Sequence, residues 1–89
     1  MIQTHTPVDV ICVCSACGKM RPLRFQVEDD THQMTRVNIE EVVSVRAISH
    51  VGAEAFIYLC RAQVRGTQRL FELKYSVRSQ TWSLFQQIF

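Results

Sequence analysis

The chain has 89 residues, 47% hydrophobic and 20% charged, with eight Arg and two Lys against eight acids for a net charge of +2. That composition excludes a disordered chain, and so mild a charge demands no anionic partner. The length fits one domain over residues 1–89, burying only about 60–65% of the surface its unfolded form exposes. No apolar run approaches the ~18 residues a membrane helix needs. The opening MIQTHTPVDV has neither the basic nor the apolar region of a secretion signal. A cytoplasmic, reducing location is the expectation, and there four cysteines read as thiols or ligands rather than disulfides.

Taken in chain order, the first element is a hairpin. With a turn centred on Cys17-Gly18, Val8 faces Val27, Val10 faces Phe25 and Cys12 faces Leu23, while Asp9, Arg24 and Gln26 point the other way. Pro22 suits an edge, or a position whose missing N–H faces away from the ladder. Residues 28–32, Glu-Asp-Asp-Thr-His, form a polar loop. Met34–Ile39 and Val42–Ile48 have the Val and Ile content of strands. Yet Ile39, Val42, Val43 and Ala47 also fit helical spacing, with Asn38 and Glu41 placed like a capping box, so helix over 39–48 stays open. Ser49 to Glu54, around Gly52, reads as a loop.

The strongest pattern is Phe56 to Val77, FIYLCRAQVRGTQRLFELKYSV. A type II′ turn at Gly66-Thr67 sets Phe56 opposite Val77, Tyr58 opposite Tyr75, Cys60 opposite Leu73 and Ala62 opposite Phe71. The other face then pairs Arg61 with Glu72. A further turn at Arg78-Ser-Gln-Thr81 brings Trp82, Leu84 and Ile88 onto the same face as Tyr75 and Phe71, with Gln86 breaking the pattern. Trp82, Phe85 and Phe89 would also suit one side of a helix, so 82–89 carries that alternative. The expectation is an all-β domain: a small antiparallel barrel or two-layer sandwich of six to seven strands, built from hairpins with a C-terminal meander.

The combination of Gly18-Lys-Met-Arg-Pro-Leu-Arg-Phe25 with Ile57-Tyr-Leu-Cys60, Leu70-Phe-Glu-Leu-Lys-Tyr75 and Trp82-x-Leu84 resembles a group of short bacterial proteins of clostridial-type Firmicutes. The resemblance covers about Val10 to Leu84. Its matching positions are apolar and turn residues, so it implies a fold and brings no activity, cofactor or catalytic residue. The group's first turn carries a polar residue and Gly where this chain has Cys14-Ser-Ala-Cys17-Gly18, so these cysteines depart from its pattern.

Cys14-x-x-Cys17-Gly18 is one hook of a zinc site, and a structural zinc needs four N or S ligands. No second hook follows. Cys12, Cys60, His5, His32 and His50 are single and scattered, so a zinc would have to be held by Cys14 and Cys17 with Cys12 or Cys60. Cys12 and Cys60 also fall on core faces, where a free cysteine acts as a small hydrophobe. Redox use of the pair would need a helix N-terminus to activate a thiol, and Gly18 and Pro22 leave no room for one. Glu28, Asp29 and Asp30 lack an alternating cation-loop spacing. No nucleophile–base motif or phosphate-cradling glycine loop is present, so no catalytic or cofactor-binding residue is assigned.

Two binding functions remain. Arg21, Arg24, Arg61, Arg65, Arg69 and Arg78 could gather on one side of a β-barrel to hold nucleic acid, although Tyr58, Phe71, Tyr75 and Trp82 face the core instead of interleaving with them. On the opposite face Ile57, Leu59, Leu70, Phe85 and Phe89 are apolar. They mean either a covering layer, which the first hairpin can supply, or an interface with another protein or a second copy. A non-catalytic binding or protein-interaction module is the expected function, with a nucleic-acid-binding barrel as the alternative.

Overall fold

Alternating apolar and polar residues, rich in Val, Ile and aromatics, give strands throughout. The computed structural model describes residues 6–28 and 31–88. Among these there is no helix, and so none long and apolar enough to cross a membrane. The strands are β1 (Thr6–Pro7), β2 (Asp9–Cys14), β3 (Met20–Glu28), β4 (Met34–His50), β5 (Ala53–Val64), β6 (Thr67–Ser76) and β7 (Thr81–Gln87). They form one seven-stranded antiparallel sheet in the order β1-β7-β6-β5-β4-β3-β2. Both outermost strands come from one stretch of chain, β1 and β2, separated only by Val8, whose N–H donates to the Trp82 carbonyl at 3.3 Å. That draws the two edges together and curls the sheet into a half-barrel. Its concave face holds Phe25, Val27, Val37, Tyr58, Cys60, Ala62, Phe71, Leu73 and Leu84, with Val8, Val10 and Trp82 packed against them.

The strands over 39–48 and 82–87 settle the two helix alternatives. The two middle segments are one 17-residue strand, β4, interrupted by bulges at Glu40 and Val43. Its first part pairs with β3 and its remainder with β5. Bulges bend a strand, which lets one strand serve both halves of a curled sheet.

Several pairings differ from the sequence expectation. The β5–β6 turn is Arg65-Gly66, both with positive φ (53° and 76°). This is a type I′ geometry, whose twist matches that of the flanking strands. Pairing therefore shifts by two residues, to Phe56–Tyr75, Tyr58–Leu73, Cys60–Phe71 and Ala62–Arg69. An even shift preserves the faces, so the predicted core survives. The Arg61–Glu72 pair does not: Arg61 bonds Glu41 on β4, and Glu72 takes Arg46 (3.3 Å) and the Gln86 amide. In the first hairpin, Val10–Phe25 pair as expected, but a bulge at Leu23 puts Cys12 opposite Pro22. Pro22 lies outside the 24–28 stretch that β3 shares with β4, so its missing N–H costs that ladder nothing. At β7 a bulge at Phe85 turns Gln86 outward opposite Glu72, and carries Ile88 off the inner face.

The predicted 49–54 loop is in fact a two-residue turn, Val51-Gly52, again with two positive φ values (51° and 78°). Val51 is 92% exposed, so nothing rewards a β-branched side chain for a left-handed backbone that costs about 1–2 kcal/mol. Val51→Asn creates the favoured Asn-Gly pair and is expected to stabilise by about 1 kcal/mol. A thermal melt should then rise by roughly 4–8 °C.

On the convex face, Ile57 is 1% exposed. Arg46 and Lys74 flank it on the neighbouring strands, and Arg46 reaches across β5 to Glu72, which lies opposite Leu59. This ion pair straddles β5 between Ile57 and Leu59. The predicted apolar patch is thus roofed by polar side chains, and Ile57 is not an open surface.

Candidate functional site

An apolar cleft lies instead at the end of the half-barrel that carries the turns at 15–19 and 77–80. Here β4 and β5 run on past the point where β3 parts from them. The result is an open cleft of about 510 Å³ lined by Val45, Phe56, Tyr58, Tyr75 and Val77 on one side and Gly18, Lys19 and Met20 on the other. Its two tyrosines are braced by Trp82, whose ring centroid is 5.3 Å from that of Tyr58 and 5.0 Å from that of Tyr75. Burial raises the Tyr58 hydroxyl pKa, so the phenol stays neutral. Lys19 is the one charged group among the lining residues, and no carboxylate lines the cleft.

Beside the cleft runs an unpaired strand edge. β3 pairs with β4 only over 34–38, so among the described residues β4 from Ile39 to His50 has a partner on the β5 side alone. The bulges at Glu40 and Val43 spoil the lower part of this edge for pairing. Ser44–His50 is regular, with consecutive pairing to β5 throughout. A chain laid along it would aim every second side chain over Val45 and into the cleft.

Sequence reading missed this feature. Tyr58 and Tyr75 lie on the core face as expected, Tyr58 buried and Tyr75 partly buried against it, and both also line the cleft. The available signal was Glu40-Glu-Val-Val43, where no alternating register keeps Ile39, Val42 and Val45 on one face without extra residues.

The four cysteines separate into two environments. Cys60 is fully buried, its Sγ 3.5 Å from the Tyr58 carbonyl oxygen, and burial pushes its pKa up to about 12. Cys12 is half-buried on the concave side, and Cys14 and Cys17 are exposed. The turn between them is well formed: the Gly18 N–H donates to the Ser15 carbonyl (2.9 Å) and the Ser15 N–H to the Lys19 carbonyl (2.8 Å). Gly18, at φ 87°, occupies the left-handed position of a three-residue hairpin loop. The Ser15 hydroxyl lies 3.1 Å from Cys17 Sγ, and this contact, with the Lys19 amide, lowers the Cys17 pKa. Among the described residues no three His, Cys, Asp or Glu side chains are grouped closely enough to hold a metal ion. Cys14 and Cys17 are therefore not joined by Cys12 or Cys60 in one site. His32 bonds Glu28 (2.8 Å) on the surface; His5, Asp29, Asp30 and Phe89 lie outside the described residues, as does the side chain of His50. Under native conditions a disulfide reagent such as Ellman's is expected to modify Cys17 first, with Cys60 reacting only on unfolding. Peptide mapping of the labelled protein over time checks that order.

Arg61 is held by Glu41, Arg24 and Arg36 lie together beside Asp9 and Ile11, and Arg65 and Arg69 line a cavity of about 430 Å³ at the other end of the half-barrel. Arg78 is in the β6–β7 turn. No protein family, curated protein or solved structure matches the chain.

Proposed function

We propose that this protein is a non-catalytic interaction module that captures an extended segment of a partner protein by strand addition. The observation that carries this reading is the Ser44–His50 edge, unpaired among the described residues and lying along an apolar cleft. Main-chain hydrogen bonds to the edge supply affinity, and alternate side chains entering the cleft supply selectivity. The cleft chemistry defines the partner: apolar residues at every second position for Val45, Phe56, Tyr58 and Val77, and a carboxylate within reach of Lys19.

Panning a library of random decapeptides on the immobilised protein tests this. Selected peptides should alternate apolar with polar residues and include Asp or Glu. The matching NMR titration should move the amide signals of Ser44–His50. Unchanged Ser44–His50 signals at saturation would remove strand addition as the mode.

A further inference from the structure

We propose that Cys14 and Cys17 form half of a zinc site that a second copy of this chain completes. The two thiols flank Ser15-Ala16 at the tip of the β2–β3 hairpin, and both are exposed. Between and beyond them the loop folds back on itself through the Gly18-to-Ser15 and Ser15-to-Lys19 hydrogen bonds. The Ser15 hydroxyl lies 3.1 Å from Cys17 Sγ and accepts the Lys19 N–H at 3.1 Å. That is the arrangement a thiolate ligand needs: a rigid two-residue spacer and a donor that satisfies a sulfur lone pair the metal does not use.

What this chain lacks is the other half. Zinc takes four ligands in structural sites, whereas no third donor joins the pair among the described residues. Cys60 is sealed in the core and Cys12 faces the concave side. A hairpin tip, unlike a pocket, can meet an identical tip across a two-fold axis, which places four sulfurs around one ion. Binding releases the four thiol protons and leaves a Zn(Cys)₄ centre of charge 2−. The two Lys19 side chains, each two residues beyond a ligand, offset that charge.

The test uses the full-length protein, kept reduced with a phosphine and titrated with zinc, by native mass spectrometry. One zinc per two chains is expected, reverting to metal-free monomer on addition of a chelator. Cys14→Ser and Cys17→Ser should each abolish both the zinc and the dimer, whereas Cys12→Ser should leave both intact. Cobalt in place of zinc should give the visible absorption of a tetrahedral thiolate centre, saturating at half an equivalent per chain. One zinc per monomer, no zinc at micromolar metal, or a dimer that survives the chelator would each overturn the proposal. The peptide cleft is read independently, because its selection can be run on Cys17→Ser.

Discussion

Phe71→Ala is expected to cost about 3–5 kcal/mol, the range for truncating a fully buried aromatic. Phe71 is 2% exposed, lies opposite Cys60, and meets Phe25 edge-to-face at 5.4 Å and 76°. It therefore ties the β5–β6 hairpin to β3 across the concave face. A chain of 89 residues has a total stability of roughly 4–13 kcal/mol, so this one deletion removes much of it. The thin core cannot collapse into the space, because Cys60, Ala62 and Leu73 are already fully buried small or rigid neighbours. The urea midpoint should fall with the slope unchanged, and the melting temperature should drop by tens of degrees. Phe56→Ala, on the same face of β5 but 37% exposed at the cleft, should cost far less. Equal losses at the two positions would mean that the core is not where the structure places it.

The residues that made the fold legible are those whose two-residue period is unbroken. Phe56, Tyr58, Cys60 and Ala62 alternate cleanly, as do Phe71, Leu73 and Tyr75, so their shared face was readable even with the pairing wrong by two. The register itself was not readable, because Gly66 fits either of two turns. What decided it was Arg65 adopting a positive φ (53°), a preference weak in any side chain other than Gly, Asn or Asp. Bulges were the second blind spot. Leu23, Glu40, Val43 and Phe85 each add one residue to a strand, and an added residue looks like a broken pattern until the opposing strand is known. Gln86 is the clearest instance: a fault in the predicted inner face, yet a partner for Glu72 on the outer one. The cleft was hidden for a related reason. It depends on where β3 leaves β4, which is a long-range property that periodicity within one strand does not encode. The thiol pair was legible at once, since C-x-x-C-G specifies its own turn. The missing second hook and the core faces of Cys12 and Cys60 were legible as well; the structure adds that no third donor stands beside the pair among the described residues.

Val45→Asp should weaken peptide capture by about 100-fold while leaving the free protein nearly as stable. Val45 lies on the concave side of β4 opposite Tyr58, yet is 50% exposed, because no strand among the described residues covers it from the open edge. In the free protein water therefore solvates an aspartate there, and the change costs at most about 1 kcal/mol, mainly through lower β-propensity. A captured strand would exclude that water. The carboxylate would then sit against apolar partner side chains with no cation among the described residues placed to pair with it except Lys19, the group the partner's own acid uses. Desolvating an imperfectly paired charge by even 2.7 kcal/mol gives the hundred-fold loss. Val43→Asp is the control: Val43 is similarly exposed but occupies the bulge, off the inner face, so binding should stay within about threefold. Amide exchange separates the two sources of affinity. Strand addition predicts newly protected amides within Ser44–His50 on binding, alternating along the edge because only every second N–H points outward. If Val45→Asp abolishes binding but those amides remain unprotected, the cleft recognises side chains alone and the open edge is incidental. If Val43→Asp is equally damaging, the surface is merely sticky and the interaction reading falls.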